Sequence, residues 1–180
     1  MSAPAPEFSR VVRIDTIGDS PRTIAVAADD AERTALARRF GLIAIAHLEG
    51  NAALVRVAGG ISARGRIAAQ VEQSCVATGE SVPAEIDEPF ALKFVTVSGD
   101  VPADEVELSE GELDIVEFDG QAVDLGEALA QTLALALDPF PRSADADATL
   151  KAAGVMSEDE AGPFGALAAL KQTLEKKPPR

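Results

Sequence analysis

The stretch Asp124 to Arg142 reads DLGEALAQTLALALDPFPR. Asp124 can accept hydrogen bonds from the free N–H groups of a first helical turn, and Glu127 lies at the spacing from which a capping-box carboxylate reaches back. Leu125, Leu129, Leu133 and Leu137 recur every fourth residue. With Ala128, Leu135 and Ala136 they make more than half the circumference apolar, so the helix demands burial on several sides. Pro139 and Pro141 stop it, because proline has no N–H to donate and disfavours helical geometry in the residue before it. The stretch predicts a buried helix over residues 124–138 on which a sheet packs, followed by an abrupt Pro-Phe-Pro-Arg exit.

The chain has 180 residues, enough for a single domain with its own core. It contains no Trp or Tyr, so Ala, Val, Leu, Ile and a few Phe must fill the interior. One cysteine excludes an internal disulfide and suits a reducing compartment. The opening MSAPAPEFSR has neither a basic start nor an apolar run, and no segment approaches the ~20 apolar residues that span a bilayer. The expectation is a cytoplasmic monomer with no membrane partner.

Net charge is −14 and unevenly spread. Residues 1–72 balance at +1, whereas residues 73–180 balance at −15. Between Asp100 and Glu127 stand eleven acids and no base. That surface repels phosphate and attracts cations or basic proteins, so contact with RNA must come from elsewhere on the molecule.

Outward from the central stretch, residues 1–7 read as a flexible arm and Phe8 to Ile17 as a strand, with Val12, Ile14 and Thr16 on one face. Gly18 to Pro21 forms a turn, and Arg22 to Ala28 a second strand with Ile24 and Val26 inward. Asp29 and Glu32 make a capping box for a short helix ended by Gly41. Its Ala31, Ala35, Leu36 and Phe40 pack, and its Arg33, Arg38 and Arg39 stay outside.

Leu42 to Leu48 and Ala52 to Val57 flank Glu49-Gly50-Asn51, and Gly59-Gly60 precedes a third run from Ile61, so a three-strand meander is expected. In the third strand Ile61, Ala63, Ile67, Ala69 and Val71 alternate with Ser62, Arg64, Arg66, Gln70 and Glu72, one dry face and one wet. Two registers remain open. A two-residue Gly59-Gly60 turn sets Arg56 opposite Ala63, whereas a three-residue loop pairs Arg56 with Arg64 and gathers three arginines on one surface.

Ser81 to Val97 reads as strands broken at Pro83 and Pro89, with Phe90, Leu92, Phe94 and Thr96 on one face. An acidic connection from Ser98 to Gly111 leads to a strand over Leu113 to Phe118 and a turn at Asp119-Gly120. Residues 142–162 read as a mobile acidic loop with at most one short helical turn near Ala148 to Ala153. Pro163 starts a docking helix over 163–175, and residues 176–180 are a basic tail. The fold class expected is α+β: a curved antiparallel sheet of about seven strands on the buried helix and the C-terminal helix.

Three segments in this order resemble the YceD-like family, the large ribosomal RNA subunit accumulation proteins: Asp124-Leu125-Gly126-Glu127, the run Leu133 to Pro141 (LALALDPFP), and Gly162 to Lys171 (GPFGALAALK). The residues that carry the resemblance are Asp124, Leu125, Leu133, Leu135, Pro139, Pro141, Pro163, Phe164, Leu167 and Leu170, and it extends over roughly residues 60–175. It implies a single domain over residues 8–175 and a non-enzymatic role in accumulation or maturation of large-subunit (23S) ribosomal RNA. Many relatives carry Cys-x-x-Cys where this chain has Cys75-Val76-Ala77-Thr78, and some place another cysteine near Pro141-Arg142. A tetrahedral zinc needs four ligands, which are lacking, so residues 74–79 are expected to be a turn without metal.

No constellation points to catalysis. His47 is the only histidine and alternates with Ile43 and Ile45, which suits a structural side chain. A nucleophilic Cys75 would need a neighbouring base, and a hydrolase or redox protein using it is the remotest reading. Glu105/Glu107 and Glu110/Glu112 lack any accompanying phosphate loop and read as a solvated acidic face. The expectation is no catalytic residue, no cofactor and no metal. Two binding modes follow. Arg33, Arg38, Arg39, Arg56, Arg64, Arg66 and Arg142 can meet phosphates of ribosomal RNA or a pre-ribosomal large subunit. Alternatively Glu105, Glu107, Glu110 and Glu112 shield a basic ribosomal protein.

Overall fold

Apolar alternation and helix caps set the order of elements along the chain. They are β1 (Val11–Arg13), β2 (Arg22–Ala27), α1 (Asp30–Phe40), β3 (Ala44–Val57), β4 (Gly60–Ser74), β5 (Ser81–Thr96), β6 (Asp114–Phe118), β7 (Ala122–Asp124), α2 (Leu125–Ala136) and α3 (Ala146–Ala152). The computed structural model describes residues 6–96 and 114–155. The chain divides into two units, Met1–Gln73 with Ser81–Pro139, and Ser74–Glu80 with Phe140–Arg180. The expected docking helix over 163–175, the acidic residues Glu105, Glu107, Glu110 and Glu112, and Pro163, Phe164, Leu167 and Leu170 lie outside the described residues.

The fold class is α+β. The expected sheet is divided, however: five strands run in the order β2-β3-β4-β5-β6, and β1 pairs with β7 in a separate antiparallel ribbon. A 3-10 turn over Ile14–Thr16 ends β1 early, so the expected strand to Ile17 stops at Arg13. The five-stranded sheet is mostly antiparallel, but β6 runs parallel to β5, with Leu92 opposite Asp114 and Thr96 opposite Phe118. A parallel neighbour needs a crossover of a dozen or more residues, and residues 97–113 supply the length.

Two expected breaks are absent. Glu49-Gly50-Asn51 is no turn; β3 continues through it, because Gly50 makes room for the helix crossing behind. A Cβ there would come within 2.7 Å of Leu129 Cδ2. Likewise β5 runs unbroken through Pro83 and Pro89. Their positions differ by an even number of residues, so both lack an N–H on the same side. Among the described residues the ladder to β6 covers Leu92–Thr96, so both prolines precede it, and an unpaired strand edge tolerates proline.

The hairpin between β3 and β4 adopts neither expected register. Its turn residues are Ala58 and Gly59, with Val57 opposite Gly60 and Arg56 opposite Ile61. Gly59 takes the positive φ (77°) that the second turn position demands. Arg56 is thereby separated from Arg64 and Arg66.

On α2, Leu125, Leu129 and Leu133 are wholly buried, as the four-residue spacing predicts. Asp124 caps the first turn by accepting from the N–H groups of Gly126 and Glu127, and it also accepts from Ser9 Oγ and Arg10 N–H. Leu135 is 83 % exposed, so the apolar stripe is narrower than expected. The helix stops at Ala136, where Leu137 turns to an extended conformation ahead of Pro139. Within the other unit, α3 occupies part of the expected loop over 142–162.

Glu127 does not close a capping box. Its carboxylate accepts instead from Arg39 (2.8 and 2.9 Å), which also donates to Glu7. The box on α1 does form, Asp29 accepting from Glu32 N–H and Glu32 from Asp29 N–H. The Arg39 guanidinium holds Glu127 below the usual carboxylate range, against an opposing effect of burial. Such a depressed carboxylate stabilises the fold above its unfolded pKa of ~4.3, and the contribution is lost as pH falls through the lowered folded value. Glu127→Gln is therefore expected to cost about 1 kcal/mol at neutral pH, with wild type and variant converging in acid, read from urea midpoints across pH.

Candidate nucleic-acid interface

The β3–β4 register assigns each side chain to a face. Leu54 faces Ala63, Ala52 faces Gly65 and Gly50 faces Ile67 on the core side. The alternating pairs, Ala53 with Arg64 and Asn51 with Arg66, therefore lie on the opposite, open side. β2 extends this face with Ala25 opposite Asn51 and Ala27 opposite Glu49. A shallow hollow of about 270 Å³ results, floored by Ala25, Ala27 and Ala68 and edged by Asn51, Glu49 and Arg66. Small side chains on such a surface let a ligand backbone approach the sheet closely.

Arg64 is exposed and makes no ion pair among the described residues. Arg66 donates from Nε and Nη2 to Asp87 Oδ1 at 3.0 and 2.7 Å. Both partners of that pair are largely solvent-exposed, 54 % and 71 %, so an exchange of the carboxylate for a phosphate costs little.

The other expected arginines are dispersed. Arg33 donates to Ala28 O and pairs with Asp30, finishing the start of α1. Arg39 is held between Glu7 and Glu127. Arg56 donates to the carbonyls of Ile14 and Ile17 and so pins the 3-10 turn. Arg142 pairs with Asp147 within its own unit. Arg38 is exposed on α1, without an ion pair among the described residues. Of the seven, only Arg64 and Arg66 are placed on one face of neighbouring sheet positions. Asn51 and Ala25 escaped sequence reasoning because Glu49-Gly50-Asn51 resembles a turn; the apolar alternation on both sides was the signal that β3 continues.

His47 is not the buried structural side chain its alternation suggests. A bulge between Ile45 and His47 shifts the strand by one residue and turns His47 to solvent, 3.4 Å from Glu49.

Cys75 is buried at the start of the turn joining β4 to β5. Ser143 N–H donates to its sulfur at 3.3 Å, and Thr78 and Ser143 exchange a hydroxyl hydrogen bond of 3.2 Å. Val76 N–H meets Pro141 O, closing the two segments on each other. The Ser143 hydroxyl and N–H, then the Thr78 hydroxyl, stabilise thiolate and hold the Cys75 pKa down to about 6. A thiol lowered this way adds stability fully above its unfolded pKa of ~8.5, and loses it as pH falls toward the folded value. Ser143→Ala is expected to raise the thiol toward the ordinary range in a thiolate-absorbance titration, and to lose more stability at alkaline than at acid pH. Among the described residues, no group of three or more His, Cys, Asp or Glu is placed to hold a metal ion. No helix among them is long and apolar enough to cross a membrane.

Sheet, buried helix and open face together define an α+β protein that offers a small-residue surface with two adjacent arginines. No curated protein and no solved structure matches the chain. The family described as "Large ribosomal RNA subunit accumulation protein YceD" matches residues 63–171, from near the start of β4 past α3. The chain belongs to the YceD family.

Proposed function

We propose that this chain supports accumulation of large-subunit ribosomal RNA by binding the RNA or a pre-ribosomal particle, without catalysing a reaction, as a cytoplasmic monomer. The family's description supplies the RNA, and the pairing of Arg64 and Arg66 on the open face of β4 is the observation that carries the mode of contact. Each phosphate that an arginine neutralises releases counterions, so binding weakens as salt rises. No Trp or Tyr exists to stack on bases, which favours backbone recognition over reading of single-stranded sequence.

Anisotropy titrations with 23S RNA fragments at several salt concentrations test this. Changing both Arg64 and Arg66 to Glu is expected to weaken binding at least ~10-fold and to flatten the salt dependence by about two phosphates' worth. Unaltered affinity removes the reading. A second reading rests on the −15 balance of residues 73–180: the acidic stretch escorts a basic ribosomal protein. Co-purification of such a protein, abolished by neutralising Glu105, Glu107, Glu110 and Glu112, decides for it.

A further inference from the structure

Between the two sheets lies a gap one wall of which is β1 and the other β2. Arg10 Nη2 donates to Ala27 O at 2.9 Å at one end, and Arg22 Nη1 reaches Thr16 O at 3.5 Å at the other. These ties show that β1 and β2 run antiparallel side by side, yet neither bonds the other: among the described residues β1 pairs with β7 alone, and β2 with β3 alone. The space between them measures about 590 Å³ and is lined from both strands, including Val11, Arg13, Arg22 and Ile24.

Ladder parity identifies which backbone groups face the gap. Ala28 N–H donates to Leu48 O, so the even-numbered residues of β2 direct their N–H and C=O toward β3. Thr23 and Ala25 therefore direct theirs away from the sheet. On β1, Ile14 N–H donates to Gln121 O and Leu125 N–H to Arg10 O, so even-numbered residues serve β7 and Val11 and Arg13 turn outward. Thr16 Oγ1 occupies Arg13 O, and Arg10 occupies Ala27 O. Among the described residues the remaining donors and acceptors of Val11, Thr23 and Ala25, and the N–H of Arg13, have no protein partner. Two strand edges that line one gap and carry open backbone groups form a template for an added strand.

The geometry points to a slot that takes one extended peptide segment of a partner protein by strand addition, joining the five-stranded sheet to the β1–β7 ribbon. The occupant carries carboxylates. Arg10 and Arg13 at the lip already bind the carboxylates of Glu32 and Asp15, while Arg22 has no acid partner among the described residues and can offer its guanidinium to a carboxylate of the occupant. Val11, 64 % exposed, gives an apolar contact beside it. A peptide fits better than RNA, because alternating N–H and C=O groups match another strand, and no aromatic side chain lines the slot for base stacking.

The full chain is panned against a random-peptide display library, and an enriched peptide is synthesised for amide hydrogen exchange. Enriched sequences are expected to be β-prone with carboxylates, and the bound peptide to slow exchange at Val11, Arg13, Thr23 and Ala25 at least tenfold. Ala25→Pro removes one outward N–H without touching the β2–β3 ladder and is expected to abolish capture. Arg22→Glu, whose side chain is exposed, is expected to weaken it at least tenfold and guards against a folding defect in the proline variant. No enrichment, unchanged capture by both variants, protection elsewhere, or protection of these amides by an RNA oligonucleotide instead of the peptide overturns the proposal.

Discussion

Gly65→Ala is expected to destabilise the protein by about 3 kcal/mol or more, the upper range for inserting atoms into a packed interior. A Cβ at Gly65 falls 1.7 Å from Asn51 O, 2.7 Å from the Asn51 carbonyl carbon and 2.9 Å from Ala52 Cα. All three are backbone atoms of β3, so no side-chain rotation relieves the contact and the central ladder must part. The position lies between Arg64 and Arg66, so exchange protection of β3 and β4 falls and the open face loses its register with them. Urea unfolding measures the first effect and amide exchange the second. A loss below about 1 kcal/mol would mean the two strands separate without cost, contrary to this account.

Leu129→Ala is expected to cost about 2–5 kcal/mol, the transfer energy of the removed carbons plus the cavity left where the side chain was wholly buried. The same leucine fixes the meaning of Gly50. An added Cβ there meets both Leu129 methyl groups, at 2.7 and 3.1 Å, so Gly50→Ala alone must displace a buried side chain. With Leu129 shortened its two contacts are relieved, leaving the tight approach of 3.0 Å to the Arg66 carbonyl oxygen, and the new methyl refills part of the hole. The double variant is therefore expected to be more stable than the sum of the two single effects by at least ~1 kcal/mol, within the range for residues in contact. Simple additivity would show that β3 and α2 do not press on each other at this point.

Those two glycines mark where local sequence is informative and where it misleads. Asp29, Glu32 and Gly41 bound α1 as anticipated, because a cap is made by groups within a few residues of one another. The spacing of Leu125, Leu129 and Leu133 found the buried side of α2 for the same reason. Gly50 offered the local signature of a turn, and only the helix behind it shows why the strand needs a residue without a side chain. Pro83 and Pro89 likewise break a strand by local rules, and only the place of β5 in its sheet lets them stay.

The candidate interface divides in the same way. The alternation of β4 already put Arg64 and Arg66 on its wet side. The gathering of further arginines was not legible, since charge balance along a chain says nothing of which carboxylate or carbonyl a guanidinium will reach. Arg39 found Glu7 and Glu127, and Arg56 found two carbonyls of the 3-10 turn, through contacts between distant segments.

By itself the sequence determined the α+β class, the capped helices, the dry face of β4 and the uneven charge, all properties of residue type at short spacing. Tertiary structure alone decided the turn at Ala58-Gly59, the parallel placement of β6 and the division of the described strands into two sheets. Pairing and register depend on which distant backbone fills each hydrogen bond, a competition settled only when every segment is in place.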